Sequence, residues 1–344
     1  MTEPALPYLT TDRPGIGGVM RVEPEEFEVV ERPLYLPCGA GEHLYVRVTK
    51  RGLSTPDLVA RFAERLGVKH QTIGVAGLKD SRAVTTQMVS LQGAHPEDIP
   101  RLRCDDRILA IEVLGRHRNR LRQGHHRGNE FRIVIREVAG HAADSVPGIV
   151  ETMVRRGVPN YFGPQRQGRR GDNFTIGRDL LADPSRRAKM ARSKRMWFLH
   201  AYQSHLFNRI LARRVERLEY LMAGDWAMKH ENGACFPVTD AEIEQPRAER
   251  FEISPTGLMF GSRSPWATGE PGEIERAVAL ESGVTPESLT KAAAACGFRG
   301  ERRPLRVRLE NPAWQIDGDR LTLSFALPPG AYATSVLREL MKTE

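Results

Sequence analysis

The chain has 344 residues, of which 40% are hydrophobic and 27% are charged, close to the average for soluble globular proteins. This composition excludes a largely disordered chain, and the length predicts about two domains. Lys and Arg number 51 against 43 Asp and Glu, so the net charge is +8, which suits a polyanionic partner and equally serves solubility.

The sequence carries no signal for export and no membrane span. Residues 1–18 are rich in Pro and Gly and lack both the basic start and the apolar run of a signal peptide. No run approaches the roughly 18 consecutive apolar residues that cross a bilayer. We therefore expect a cytoplasmic protein without a membrane contact.

Neither the cysteines nor the histidines have the spacing of a metal site. The cysteines lie far apart without a CxxC pair, at Cys38, Cys104, Cys235 and Cys296. The histidine pairs His125/His126 and His200/His205 do not have the i, i+4 spacing that helical metal pairs use. We expect reduced cysteines and no structural metal.

The first part of the chain predicts a strand followed by a helix on the same core. Leu44, Val46 and Val48 alternate with other residues in the period of a strand. The next segment predicts a helix that begins with Thr55 as N-cap and ends at Gly67. Its apolar residues recur with helical spacing and predict one buried stripe: Val59, Phe62, Ala63 and Leu66.

Short apolar runs and the alternation of apolar with polar residues predict four more strands. Two are predicted at residues 72–76 and 88–91, and the polar segment 77–86 between them is expected to be an exposed loop. The other two lie around residues 131–135 and 321–327, where apolar and polar residues alternate.

The middle of the chain predicts helix rather than strand. A long helix is predicted from about residue 196 to about residue 222, and the Gly- and Pro-containing segments 157–171 and 254–272 beside it are expected to be loops. A final short helix is expected after Gly330. The order of strands, helices and strands predicts an α+β fold in which the middle region is inserted into the sheet-forming chain.

One short segment combines the residue types of a reactive carboxylate. Residues 76–87 read AGLKDSRAVTTQ, so that Asp80 lies between Lys79 and Arg82. Neighbouring positive charge keeps a carboxylate ionised and able to act as a nucleophile. The alternative is a surface aspartate that only pairs with one of these cations.

The sequence AGLKD followed by RAVTTQ resembles the motif of the TruD family of pseudouridine synthases. Further segments resemble family segments in the same order along nearly the whole chain: FEVVE from Phe27, GEHLY from Gly41, KRGLST from Lys50, GNEFRI from Gly128, VPNYFGPQR from Val158, YQSHLFN from Tyr202, SPTG from Ser254, RRPL from Arg302 and LPPGAYAT from Leu327. An ordered series of this length makes accidental similarity very improbable.

The chain departs from the family pattern at a few positions. Gln167 follows QR where Phe is frequent, and Ser81 and Arg82 follow AGLKD where a basic pair is frequent. Arg21 stands where relatives can carry Lys, which keeps the charge but changes the hydrogen-bond geometry. Tyr332 stands where Phe is common, so an aromatic ring is kept and a hydroxyl is gained.

The resemblance implies an enzyme that isomerises uridine to pseudouridine in RNA, with Asp80 as the nucleophile. The reaction breaks the N-glycosidic bond and joins C5 of uracil to the ribose without net oxidation or group transfer, so no cofactor is expected. Attack on the ribose anomeric carbon and addition to the uracil ring both stay open. The nucleotide has to be extruded from folded RNA before the carboxylate reaches it.

The resemblance also implies which residues contact the extruded nucleotide. Aromatic faces and an amide for the uracil are expected from Phe27, Phe131, Tyr332 and Asn129. Two cations are expected to bind the substrate RNA, Lys79 and Arg21. Phe131 can instead be an ordinary core residue at a strand start, and Asn129 can be a plain turn residue.

The fold implied by the resemblance is a pseudouridine-synthase core with a mixed or antiparallel sheet, formed by residues 1–153 and 305–344. A TruD-type α/β domain, residues 154–304, is inserted into this core, and the RNA is expected in the cleft between them. The expected substrate is tRNA, with uridine 13 as the target in bacterial members. No protein partner is implied, so we expect a monomer.

Three basic clusters are candidates for phosphate contacts: residues 116–127, 166–170 and 186–195. A solvated charged face is the alternative for each. The first two adjoin motifs that resemble the family, which favours RNA contact, and the third is left open.

Two other functions were weighed against a synthase. A non-catalytic RNA-binding chaperone of the same fold has no need of the Asp80 segment, which argues against it. An RNA methyltransferase needs a glycine-rich strand-to-helix turn for its cofactor, and the sequence has none.

Overall fold

The computed structural model describes residues 5–79, 81–103, 105–168, 170–183, 185–186 and 190–343. Its strands are β1 (Val19–Met20), β2 (Phe27–Pro33), β3 (His43–Arg51), β4 (Ile73–Val75), β5 (Val84–Gln92), β6 (Ile108–His117), β7 (His126–Arg136), β8 (Val158–Pro159), β9 (Trp226–Lys229), β10 (Cys235–Pro237), β11 (Ile253–Met259), β12 (Glu301–Pro304), β13 (Arg306–Val307), β14 (Glu310–Asp317) and β15 (Arg320–Leu327). Its α-helices are α1 (Thr55–Leu66), α2 (Ile99–Leu102), α3 (Ala142–Arg156), α4 (Asn173–Ala182), α5 (Arg192–Ala212), α6 (Ala241–Glu249), α7 (Gly269–Glu281), α8 (Pro286–Ala295) and α9 (Ala333–Met341).

Local sequence determines where helix α1 begins and ends. The predicted N-cap of this helix was wrong. The N-cap is Ser54 rather than Thr55, because the Ser54 hydroxyl oxygen accepts a hydrogen bond from the Asp57 backbone N–H at 3.2 Å. The helix ends at Gly67, whose φ of +66° is the left-handed conformation that glycine adopts without strain. The predicted helix and its C-terminal glycine are confirmed.

A large sheet organises most of the chain outside residues 160–304. Its strands run in the order β14-β15-β7-β2-β5-β3-β6, with β1 paired to β7 and β4 paired to β5. Strands β2 and β5 are parallel, and the other pairs of the described strands in this sheet are antiparallel. The predicted strands near the two chain ends are therefore confirmed, and they meet in one sheet.

One face of this sheet is covered by two separate groups of helices. Phe62 of α1 and neighbouring side chains of α2 bury one apolar cluster on β3, β5 and β6. Leu337 of α9 and side chains of α3 bury a second cluster on β7 and β15. Val29 of β2 pairs with Phe131, which belongs to the second cluster, and with Thr85 of β5, the strand that carries part of the first cluster. Register partners point to the same side of a sheet, so both clusters lie on the same face. The strip of β2 and β5 between them is left for polar side chains.

The region between β8 and β13 forms a smaller sheet in the order β10-β9-β11-β12, packed with helices α4 to α8. Two predictions for this region were wrong. Helix α5 ends at Ala212, earlier than predicted, and a short 3-10 turn follows at Val215–Arg217. Strand β11 is buried along its whole length, although segment 254–272 was expected to be a loop. With helices and sheets combined, the architecture confirms the predicted α+β class.

Arg306 ties the smaller sheet to the chain segment that leaves α3. Its side chain is fully buried, and its guanidinium donates hydrogen bonds to Ser254 Oγ at 3.1 Å and to the carbonyl oxygens of Arg156 and Ala248. The guanidinium also lies 4.1 Å from the ring centre of Phe251. Burial lowers the pKa of Arg306 to about 10, so the side chain stays charged at neutral pH.

Replacing this buried guanidinium tests its structural role. We expect Arg306→Met to lower the free energy of unfolding by about 2–4 kcal/mol, because buried acceptors lose their donors while the volume is kept. Urea unfolding measures the change. Arg308→Met is the matched control, because Arg308 is exposed and its replacement should change stability by about 0.5 kcal/mol or less. Equal losses in the two variants would contradict the role given to Arg306.

Candidate active site

The backbone on both sides of position 80 is anchored to the start of α1. The backbone N–H of Lys79 donates to Thr55 Oγ1 at 2.9 Å, and the Thr55 hydroxyl donates to Gln87 Oε1 at 2.9 Å. On the other side, the Gly52 N–H donates to the Ala83 carbonyl at 3.2 Å. Asp80 itself lies outside the described residues. The flanking backbone is thus fixed to the core, and Lys79 is buried rather than exposed as the loop prediction expected.

Lys79 and Glu31 form an ion pair inside the protein. Lys79 Nζ lies 2.7 Å from Glu31 Oε2, and the two side chains are only 4% and 1% exposed. The other carboxylate oxygen of Glu31 accepts a hydrogen bond from the Met88 N–H at 3.1 Å. Low exposure strengthens the attraction between the charges but makes loss of either partner costly. Glu31 was missed by the sequence analysis, although it continues the inward alternation of Phe27 and Val29.

His126 is the third group that converges on this ion pair. A Cβ atom added to Gly77 would stand 3.0 Å from Lys79 Nζ, 3.4 Å from Glu31 Oε2 and 3.7 Å from His126 Cε1. Burial, and secondarily the Lys79 charge, lowers the pKa of His126, so the imidazole is neutral at physiological pH. Gly77 therefore leaves room for three polar groups to meet.

Four side chains beside the ion pair carry buried polar atoms that have no hydrogen-bond partner within the described part of the chain. These atoms are Thr85 Oγ1, Gln87 Nε2, His126 Nδ1 and Asn129 Oδ1. Asn129 is the register partner of Glu31, and Thr85 that of Val29, which places them on the sheet face between the two helix groups. We call these four residues the polar row. Unsatisfied buried atoms are rare in folded proteins, and a cluster of them is typical of a site that a ligand completes.

Phe27 and Phe131 lie next to the polar row on the same sheet face. Phe131 stacks on Phe325 with ring centres 5.2 Å apart, and Phe27 meets Phe131 edge to face at 6.4 Å. Both belong to the apolar cluster under α3 and α9, which agrees with the core alternative kept open for Phe131. The Arg21 guanidinium lies 4.1 Å from the centre of the Phe27 ring. Arg21 is thereby brought to the edge of the same aromatic group.

Tyr332 belongs to a second group just beyond the end of β15. Its ring centre lies 6.1 Å from that of Phe162, which also has the Arg303 guanidinium 4.1 Å away. Arg303 donates hydrogen bonds to Asn160 Oδ1 at 2.6 Å and to the Gly330 carbonyl at 3.0 Å. Burial lowers the pKa of Arg303 to about 10. Arg303 was not a predicted site residue, although its segment RRPL was one of the family-like motifs.

The strand geometry brings this second group to the polar row. Leu327, the last residue of β15, is the register partner of Asn129. An added Cβ at Gly128 would stand 2.1 Å from the Leu327 carbonyl oxygen, so only glycine allows this approach. The end of β15 and the start of the segment that carries Tyr332 are therefore held close to Asn129.

The described residues show neither a metal-binding cluster nor a membrane-spanning helix. Within the described ranges, no group of three or more His, Cys, Asp or Glu side chains is arranged to hold a metal ion. Among the same residues, no helix is both long enough and apolar enough to cross a membrane.

Comparison with known proteins decides the family. A family model described as tRNA pseudouridine synthase D (TruD) matches two segments of the chain, residues 5–192 and 186–340. The chain belongs to the TruD family. Membership makes it a pseudouridine synthase, which is an isomerase, and it confirms the resemblance found in the sequence.

Curated relatives of this TruD-family chain match over nearly its full length. The tRNA pseudouridine synthase D of Geobacter sulfurreducens is 40% identical, covering 97% of this chain and 96% of that protein. The tRNA pseudouridine synthase D of Thermus thermophilus is 41% identical, covering 98% of this chain and 92% of that protein. A crystal structure assigned to tRNA pseudouridine synthase D (TruD) from Methanosarcina mazei superposes with a TM-score of 0.82 at 26% identity, covering 98% and 96% of the two chains.

The buried ion pair can be tested apart from any activity. We expect Glu31→Gln to lower the free energy of unfolding by about 3–5 kcal/mol, because the Lys79 ammonium would stay buried without its counter-charge. The double variant Glu31→Gln/Lys79→Met should regain much of this loss. Urea unfolding of the wild type, both single variants and the double variant measures the coupling.

An exposed ion pair supplies the matched control for this double-mutant cycle. Arg47 and Glu112 pair across β3 and β6 at 2.8 Å but are 43% and 59% exposed. Glu112→Gln should therefore cost about 1 kcal/mol or less. Additive losses for Glu31 and Lys79 would show that the buried pair is not coupled.

Proposed function

We propose that this chain converts a uridine of tRNA to pseudouridine, with uridine 13 as the target and Asp80 as the nucleophile. The observation that carries the proposal is the buried Lys79–Glu31 pair, which fixes the backbone just before Asp80 beside the polar row. The names of the relatives support pseudouridine formation in tRNA as the activity. The motif around Asp80 supports its role in the reaction.

The polar row matches the hydrogen-bonding groups of uracil. Uracil offers one N–H donor at N3 and two carbonyl acceptors, and Asn129 Oδ1 supplies an acceptor while Gln87 Nε2 supplies a donor. The neutral imidazole of His126 and the Thr85 hydroxyl can each donate or accept. These groups can hold the base while it is free of the ribose, which the reaction needs because a lost base cannot be rejoined.

The ribose route shows what Asp80 has to do. A carboxylate oxygen forms a bond to C1′ while the bond from C1′ to N1 breaks and leaves its electron pair on uracil. The uracil turns, C5 bonds to C1′ and displaces the carboxylate, and the C5 proton leaves while N1 gains a proton, so the product is an isomer of the substrate. In the alternative route, the carboxylate adds to the uracil ring before the glycosidic bond breaks. Both routes need the same ionised carboxylate and no redox step.

The residues around Tyr332 can contact an extruded nucleotide. The segment that carries Tyr332 follows the end of β15, which pairs with Asn129 of the polar row, and Arg303 adds a partly buried cation beside Phe162. An aromatic face and a guanidinium are the groups that stack on a flipped base and bind its phosphate. Phe27 and Phe131 support this site mainly from the core, and Arg21 and Lys79 supply positive charge at its edge.

The same proposal includes the domain boundaries, the position of the RNA and the cellular location of the protein. Residues 1–153 and 305–344 are the catalytic core, residues 154–304 are the inserted TruD-type domain, and tRNA lies between them. Clusters 116–127 and 166–170 then contact RNA phosphates from the two sides. The protein acts as a monomer in the cytoplasm, where tRNA is modified.

The first test concerns the nucleophile. We expect purified protein to form pseudouridine at one position of an unmodified tRNA transcript without any added cofactor, and Asp80→Asn to form none while it still binds the transcript. Mass spectrometry with chemical mapping of pseudouridine measures both. Turnover by Asp80→Ala would exclude Asp80 as nucleophile. Binding without product by the wild type, across several RNAs, would favour the chaperone function.

The second test concerns Tyr332. Tyr332→Phe keeps the ring and should retain most of kcat/KM, whereas Tyr332→Ala removes the stacking surface and should lower kcat/KM about tenfold to a hundredfold. Initial rates of pseudouridine formation measure the difference. Equal losses in the two variants would show that the hydroxyl, not the ring, is what the site uses.

A further inference from the structure

A second polar cavity lies where β3 begins and β5 ends, separate from the polar row. Its volume is about 740 Å³, and it is lined by three arginines, two histidines, an asparagine and a glutamine. No acidic or aliphatic residue is among these described lining residues. We call it the arginine cavity. Its positive charge is therefore concentrated in one concave site.

The loop that forms one wall of the arginine cavity is held in place by the sheet beneath it. The Gly124 N–H donates to the Ala76 carbonyl at 2.9 Å, and the Leu121 N–H donates to Ser90 Oγ at 3.0 Å. The Tyr45 hydroxyl donates to the Asn119 carbonyl at 2.9 Å. A wall fixed in this way presents its cations without a large ordering cost on binding.

Two of the arginines are not used by the fold. Arg116 and Arg120 donate to the backbone carbonyls of Ala94 and Gln71. In contrast, the exposed guanidiniums of Arg118 and Arg122 have no hydrogen-bond or ion-pair partner anywhere in the described part of the chain. They are available to a ligand.

The histidines add polar groups beside these cations. His43 is only 5% exposed, and its Nδ1 has no hydrogen-bond partner among the described residues. Its other ring nitrogen lies 3.6 Å from Glu42 Oε1. His125 is held by a 2.8 Å hydrogen bond between its Nδ1 and the Tyr35 hydroxyl. A buried unpaired nitrogen next to two free guanidiniums fits an anion with several oxygen atoms.

We propose that the arginine cavity binds a backbone phosphate of the substrate RNA. This inference rests on the proposed function and assigns one element of RNA recognition to named residues. The cavity loop is bonded to Ala76, where the segment with Asp80 begins, and His126 of the polar row directly follows His125. His43 and Gln92 are register partners on the sheet face opposite Val89 and the polar row, so a phosphate bound there belongs to a nucleotide other than the extruded uridine. It fixes the RNA strand relative to the nucleophile without reading a base.

The same chemistry would also suit free inorganic phosphate, so the test has to separate the two sources. Binding of a tRNA transcript is measured for the wild type, Arg122→Gln and Arg320→Gln over a series of salt concentrations. Arg320 is the matched control, because it is also exposed, is the first residue of β15, and its guanidinium has no hydrogen-bond or ion-pair partner among the described residues. Titration with inorganic phosphate at constant ionic strength, followed by NMR of the histidine ring protons, forms the second arm.

We expect Arg122→Gln to raise the Kd for the transcript about fivefold and to lower the slope of log K against log salt by about 1, as for the loss of one phosphate contact. Arg320→Gln should leave both quantities at the wild-type values. Equal effects of the two variants would overturn the proposal. So would phosphate-dependent shifts of the His43 resonances combined with an unchanged transcript affinity, since this would indicate a free-phosphate site.

The proposed function is judged separately in the same set of samples. Pseudouridine formation by the wild type tests that function, whereas the salt slope tests the cavity. A wild type that forms no product leaves the comparison of Arg122→Gln with Arg320→Gln fully informative for the cavity.

Discussion

A lysine and a glutamate buried together hold the side chain of Lys79, the residue before the proposed nucleophile. Each charge costs several kcal/mol to remove from water, and the pair persists because the carboxylate also accepts a backbone N–H of β5. Glu31 lies on β2 and Met88 on β5, the parallel neighbours of the large sheet. The ion pair therefore requires this parallel junction, and the rest of the sheet has to form around it.

The two apolar clusters on the same sheet face explain why a polar site can exist at its centre. If one continuous layer of helices covered the face, the polar row would be sealed in an apolar interior at a high cost. Here α1 and α2 cover one side while α3 and α9 cover the other, and the strip between them keeps unsatisfied polar atoms. Unsatisfied polar atoms cost stability locally, which is the cost expected of the proposed substrate site.

Strong periodic patterns were enough to predict the outer parts of the fold. The strands around Ile133 and Leu323 and the helix α1 have one more buried side, so their apolar spacing matches their structure. Strand β11 is buried on both sides and contains Pro and Gly, so it has no alternation to detect. The apolar spacing beyond Ala212 misled the prediction of α5, because Val215 and Leu218 are buried although the helix has ended.

For the site, too, sequence motifs indicated individual residues, whereas the arrangement of these residues depends on the tertiary structure. The motif around Asp80 identified Lys79, and the family-like segments identified Asn129 and Tyr332. Their mutual placement depends on the sheet register, which no local pattern contains. Glu31 was missed because a single charged residue in a strand is usually exposed, and only its pairing with a lysine distant in sequence explains its burial.

The position of β15 has a consequence for how the protein is made. This strand pairs with β7 on one edge and β14 on the other, so residues close to the C-terminus lie inside the sheet and next to Asn129. While the ribosome is still adding the last segment, β7 presents a long edge with unpaired N–H and carbonyl groups. A chain released early would keep this edge open, prone to association with other strands and without the end of β15 that completes the site. Strand β15 therefore both closes this edge of β7 and holds Leu327 beside Asn129.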